Sequence, residues 1–164
     1  MGLIINKKIQ ALMAGYPTVS DKYNVSGGIL TGSNPVKFGE LVKVTSTPGY
    51  FEKAASLSAV TEIGGFALAT NVKLAEGWPG SAVQINPGEA FNLMINGFIA
   101  VELDSGATLS YATPNAKVYV ILATGKLTTS DQYSSGTIVE LPGCVFTGYT
   151  ETQGTKKLAE IYVK

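Results

Sequence analysis

Residues Asn86–Leu103, NPGEAFNLMINGFIAVEL, decide how the rest of the chain reads. Apolar and polar residues alternate up to Asn96-Gly97, and beyond it the alternation resumes with large apolar groups on both faces. Asn-Gly is a strong short-range signal for a two-residue type I′ turn, because both central residues must accept positive φ, and it predicts a hairpin here. In that register Ile95 faces Phe98, Leu93 faces Ala100 and Phe91 lies near Glu102. On the opposite side Met94 meets Ile99, Asn92 meets Val101 and Ala90 meets Leu103. An antiparallel pair with one wet face carries polar residues at alternate positions, so this stretch reads as covered on both sides. Two arrangements would do that: an interior pair roofed by a loop or an arm, or a pair with one face against another polypeptide. The pairing assigns Leu93, Ile95, Phe98 and Ala100 to the domain's own core. It leaves Met94, Ile99 and Val101 for the arm or a neighbouring subunit.

Outward from this stretch the chain repeats one pattern: five to eight residues rich in Val, Ile, Leu, Phe, Tyr or Thr, then Gly, Pro, Asn or Ser. Strands are predicted near 28–31, 37–45, 59–70, 82–85, 89–95, 98–103, 117–123, 137–139, 145–150 and 158–163. Pro48-Gly49, Pro79-Gly80, Pro87-Gly88 and Pro142-Gly143 fit type II turns, since Pro presets the first corner and Gly accepts positive φ at the second. The stretch 53–58, KAASLS, is open to a short helix or an irregular crossing. The predicted class is all-β, a single compact β-sandwich or small β-barrel with an extended N-terminal arm. The arm is placed at residues 1–26 and the β-domain at 27–164, because GYPTVSDKYNVS has turn formers and two tyrosines but no sustained period.

At 164 residues the chain is long enough to bury roughly 70% of its unfolded surface without disulfides or metals. Only 15% of residues are charged, 12 cations against 12 anions, and every cation is Lys. Without His there is no imidazole base, no Ser/His or Cys/His nucleophile and no two-His metal site. Without Arg there is no bidentate fork for phosphate or carboxylate. Zero net charge argues against a phosphate-tracking surface, so nucleic acid is not an expected partner. No apolar run approaches the length of a membrane span, and the first residues lack a signal-peptide core, so a soluble protein made in a cytoplasm is expected. Cys144, in LPGCVF, reads as a buried small hydrophobe.

Carboxylates are the remaining catalytic vocabulary, and Glu89, Glu102, Asp104 and Glu140 are the set from which a hydrolase pair would be drawn. No calcium loop is present, and Gly27-Gly28 and Gly64-Gly65 lack phosphate-loop spacing. Neither a cofactor nor a metal is expected. Trp78, in AEGWPGS, sits at a loop tip, where an aromatic folds back on the core, meets a partner or stacks on a sugar. With Tyr133 and Tyr149 it would serve a carbohydrate- or receptor-binding β-module, the alternative reading. Lys7 and Lys8 are solvated charges that would suit an acidic protein surface.

Four segments in order, GGILTGSNPVKFGELVKV (27–44), IGGFALATNVKL (63–74), NPGEAFNLMINGFIAVEL (86–103) and NAKVYVILATGKL (115–127), resemble the structural cement, or head decoration, proteins of tailed bacteriophages. The likeness runs from about Val25 to Leu127 and is looser over the last 37 residues. It implies a non-enzymatic virion protein on the outer capsid surface, synthesised in the host cytoplasm. Such a protein bridges neighbouring major capsid subunits as a dimer or trimer, often with a terminal arm laid across a neighbour. The expected partner contacts are then Leu3, Ile4, Ile5, Lys7, Lys8, Tyr16 and Tyr23 of the arm, Trp78, and Met94, Ile99 and Val101.

Overall fold

The computed structural model of the chain describes residues 12–18, 24–69, 84–131 and 136–164. Among these residues eleven strands account for most of the regular structure. Six precede the stretch that opened the sequence analysis: β1 (Asn24–Leu30), β2 (Val36–Lys37), β3 (Leu41–Val44), β4 (Tyr50–Lys53), β5 (Ile63–Ala67) and β6 (Gln84–Ile85). The others are β7 (Ala90–Leu103), β8 (Lys117–Ile121), β9 (Lys126–Thr128), β10 (Ile138–Gln153) and β11 (Lys156–Val163). Among the described residues the helical content is two single 3₁₀ turns, Val60–Glu62 and Leu109–Tyr111. The all-β expectation stands, and of the sandwich and the small barrel it is the barrel that forms.

The predicted hairpin at Asn96-Gly97 is overturned, because β7 is one continuous strand of 14 residues. A type I′ turn needs positive φ at both central residues, and Asn96 does not have it; Gly97 alone is in that region, at φ 127°. The strand's partners come from distant segments instead. Residues 90–96 pair with β1 and 93–94 also with β5, whereas 97–103 pair with β11. The local preference of Asn-Gly is outweighed by these ladders. Opposite β1 the register slips, Asn24 matching Asn96 and Val25 matching Met94. Ile95 is therefore the extra residue of a β-bulge, and the bulge inverts the inward-facing phase of the strand. Leu93 and Met94, adjacent in sequence, are both fully buried, in different clusters.

That inversion lets β7 serve two closed circuits. Pairing runs β7–β11–β10–β8–β9 and back to β7, and also β1–β4–β3–β5–β7 and back to β1. The first circuit is a five-stranded barrel filled by Ile99, Val101, Val120, Phe146 and Ile161, among others, and extended at one end by Leu41, Phe66 and Met94. The second encloses Leu30, Val42, Ala67, Phe91 and Leu93, with Phe51 packed against them edge-on to Phe91. Closing both circuits leaves few open strand edges, which are a hazard for wrong pairing.

Turns follow the sequence in part. Pro48-Gly49 and Pro87-Gly88 close tight turns, with Tyr50 N–H donating to Thr47 C=O and Glu89 N–H to Asn86 C=O. Pro142-Gly143 is not a turn between strands. It lies inside β10, where the register to β8 slips between Glu140 and Val145. Pro79-Gly80 lies outside the described residues. Residues 53–58 form an irregular crossing: Ser56 and Leu57 donate to the carbonyls of Ala123 and Leu122, and Ser56 takes a φ of 52°.

Residues 12–18, expected within the arm, are built into the domain. Gly15 N–H donates to Ala100 C=O, Ala100 N–H to Tyr16 C=O and Thr18 N–H to Phe98 C=O, adding a short edge to β7. Leu12 is buried with Ala100 and Leu158. Its N–H donates to Glu151 Oε2 at 2.7 Å and its carbonyl accepts from Gln153 Nε2 at 2.8 Å.

Candidate interaction surface

Few of the groups that could carry chemistry are free to do so. Glu140 Oε2 takes the Lys117 ammonium at 2.6 Å, and that hydrogen bond raises the Lys117 pKa. Glu102 lies 4.0 Å from Lys156 and Asp104 3.8 Å from Lys126. Glu89 Oε2 accepts the N–H of Asn86 and so closes its own turn. Each expected carboxylate thus has a partner of its own. Among the described residues no group of three or more His, Cys, Asp or Glu could hold a metal ion. Cys144 is buried, and burial pushes its thiol up to about 12, so it stays protonated at neutral pH.

The residues expected to touch a partner divide into three groups. Leu3, Ile4, Ile5, Lys7, Lys8, Tyr23 and Trp78 lie outside the described residues, as does Tyr133 of the sugar-binding alternative. Tyr16 is half-buried beside β7, its hydroxyl enclosed without a hydrogen-bond partner, and burial pushes its phenol pKa up. Met94, Ile99 and Val101 have no exposed surface at all: they fill the main core, and the assignment of faces is corrected. The grouping of side chains by face holds, but the face that carries these three is covered by the barrel's own strands rather than by an arm or a neighbour. Of the face assigned to the core, Ala100 lies under Leu12 of the arm, Phe98 stacks on Tyr162 at 4.6 Å between ring centroids, and Ile95 is exposed. Both faces of β7 are covered along most of its length, as its two-sided apolarity predicted.

The surface that the fold leaves apolar is elsewhere. Val25, Ile29, Val44, Tyr50 and Ile95 are exposed on β1, β3, β4 and β7, all strands of the smaller circuit. On β1, Val25 and Ile29 share the outward face, and Ile29 stands opposite Tyr50 of β4. Beside Ile95 opens a groove of about 360 Å³ lined by Ile63, Phe66, Met94, Leu141 and Val163, among others, with Lys164 on its lining. The alternation of NVSGGIL carried a signal for the β1 face. No local pattern could find the groove, because its walls come from β5, β7, β10 and β11.

A search of curated protein sequences finds no match. Among solved structures, a chain from the capsid of Myoviridae phage XM1 has the same fold, with a TM-score of 0.65 at 20% identity over 97% of this chain and 95% of that one. The family model described as structural cement protein (E217 gp24/Pam3 gp6) matches residues 4–164. The match takes in the last residues, where the sequence likeness was loose, and the stretch before β1 as well. Spanning nearly the whole chain, it shows that this protein belongs to the structural cement protein family.

Proposed function

We propose that the protein decorates the outer surface of a phage capsid and ties neighbouring major capsid subunits together, so that the filled head resists internal pressure. The observation that carries this reading is the family match over residues 4–164. An apolar strip and groove left open by a fold that is otherwise closed are what a docking protein would need. Binding of this kind adds many modest contacts over repeated identical sites, so no single contact has to be tight. A homo-oligomer would multiply that effect. Its action is mechanical, with no chemical step.

The test is to mix the purified protein with undecorated capsids of its phage and sediment them. Co-sedimentation with a raised melting temperature of the shell is expected. Protein left in the supernatant with an unchanged shell transition would refute the reading.

A further inference from the structure

We infer that the face presented to the shell is the outward strip of β4, β1 and β7 together with the groove that adjoins it. The inference rests on the proposed capsid role and says which surface performs it. Among the described residues, seven large hydrophobic side chains are exposed, and five of them lie on the smaller circuit. Val25 is 47% exposed, Ile29 37%, Tyr50 40% and Ile95 47%, although each sits in a strand whose other face is packed.

Two neighbouring glycines separate what the fold needs from what it does not. A Cβ on Gly28 would stand 2.5 Å from the Phe51 ring, so the core excludes any side chain there. A Cβ on Gly27 would meet nothing within 4 Å, and its φ is not in the left-handed region. Glycine within a strand weakens it and is found where another backbone approaches closely. The protein's own chain makes no such approach at Gly27, which lies between Val25 and Ile29 on the outward face. The strip also continues into the groove, because the exposed Ile95 of β7 belongs to both.

The chemistry of the occupant follows from what is missing. Val25, Gly27, Ile29 and Tyr50, and the facing Ala90 and Asn92, carry no charge; Glu52, next along the outward face of β4, is paired with Lys43 at 3.4 Å, and the groove has one charged residue, Lys164. A charge brought against this strip would be desolvated without a partner, which is strongly unfavourable. The matching patch on the shell is therefore uncharged and apolar, with an apolar side chain or loop to enter the groove.

The experiment uses the full chain and undecorated capsids. Wild type should co-sediment. Gly27→Asp should weaken binding by at least about tenfold, while the free protein melts within a few degrees of wild type. Tyr111→Asp, on an exposed 3₁₀ turn between β7 and β8, outside the strip, should bind as wild type does. If Gly27→Asp lowers the melting temperature by more than that, Val25→Asp supplies the same test from an exposed side chain. Binding by both strip variants within about twofold of wild type would overturn the assignment. So would a wild-type oligomer in solution that dissociates on either substitution, since the strip would then be a contact between copies. Failure of wild type itself to bind would instead remove the capsid role, and the inference with it.

Discussion

Gly15 shows how much of the fold a single residue can hold. It is buried at φ 80°, and a Cβ there would stand 2.3 Å from Cβ of Phe38 and 2.6 Å from the nitrogen of Gly39. Both the conformation and the space exclude a side chain, so Gly15→Ala should cost about 2–4 kcal/mol and lower the melting temperature by about 5–15 °C. Thermal unfolding followed by circular dichroism measures it. Cys144 makes a second prediction. Its thiol is neutral in the fold up to about 12 but ionises from an ordinary value of 9.0 once unfolded. A raised folded pKa means that the contribution is fully present below about pH 9 and is lost as pH rises towards about 12. Urea midpoints should fall more steeply with pH above about 9 for wild type than for Cys144→Ala, and parallel curves would contradict this. In the native state at pH 8 the thiol should resist a disulfide reagent that titrates it at once in denaturant. The burial of Cys144 was legible from the apolar run LPGCVF around it. The confinement of Gly15 was not, because Phe38 and Gly39 reach it from more than twenty residues away.

The first stretch to be read and the least expected outcome meet in β7. Alternation, apolar enrichment and coverage of both faces were all legible in its residues. The hairpin was a local inference, and it failed because β1, β5 and β11 offer Asn96 and Gly97 a continuous strand. The face assignment failed for another reason: the side that carries Met94, Ile99 and Val101 is closed over by β11, β10, β8 and β9, whose places no local pattern shows. β4 went unforeseen because YFEK is only four residues long and half of it is charged. Its place is fixed by pairing with β3, where Lys43 stands across from Glu52. The segment before β1 yields a prediction at this scale. Deletion of residues 1–11 serves as the reference. Deleting 1–18 removes the Leu12 contacts and the edge added to β7. At about 1 kcal/mol per hydrogen bond and about 2 kcal/mol for a buried leucine, that loss should lower the melting temperature by more than about 10 °C. Equal stability of the two truncations would show that the added edge contributes nothing.

The molecule joins a closed barrel to a smaller closed circuit through β7, and among the described residues only the smaller circuit carries a cluster of exposed apolar groups. The described charges are mostly engaged in surface pairs such as Lys117 with Glu140 and Lys53 with Glu40. Docking through an uncharged strip should therefore be insensitive to salt. Raising NaCl from about 0.05 M to about 1 M should change capsid binding by less than about threefold, whereas docking through lysines would weaken it steeply. The sequence excluded imidazole chemistry and guanidinium recognition by composition alone. It could not show the docking strip, because that surface exists only once β4, β1 and β7 lie side by side. The most direct measurement is a cryo-electron microscopy reconstruction of capsids incubated with the protein. The account predicts ordered copies at repeated positions outside the shell, with β1 and β4 facing it and the five-stranded barrel turned away. Bare capsids, or bound copies whose β1 strip faces solvent, would contradict it.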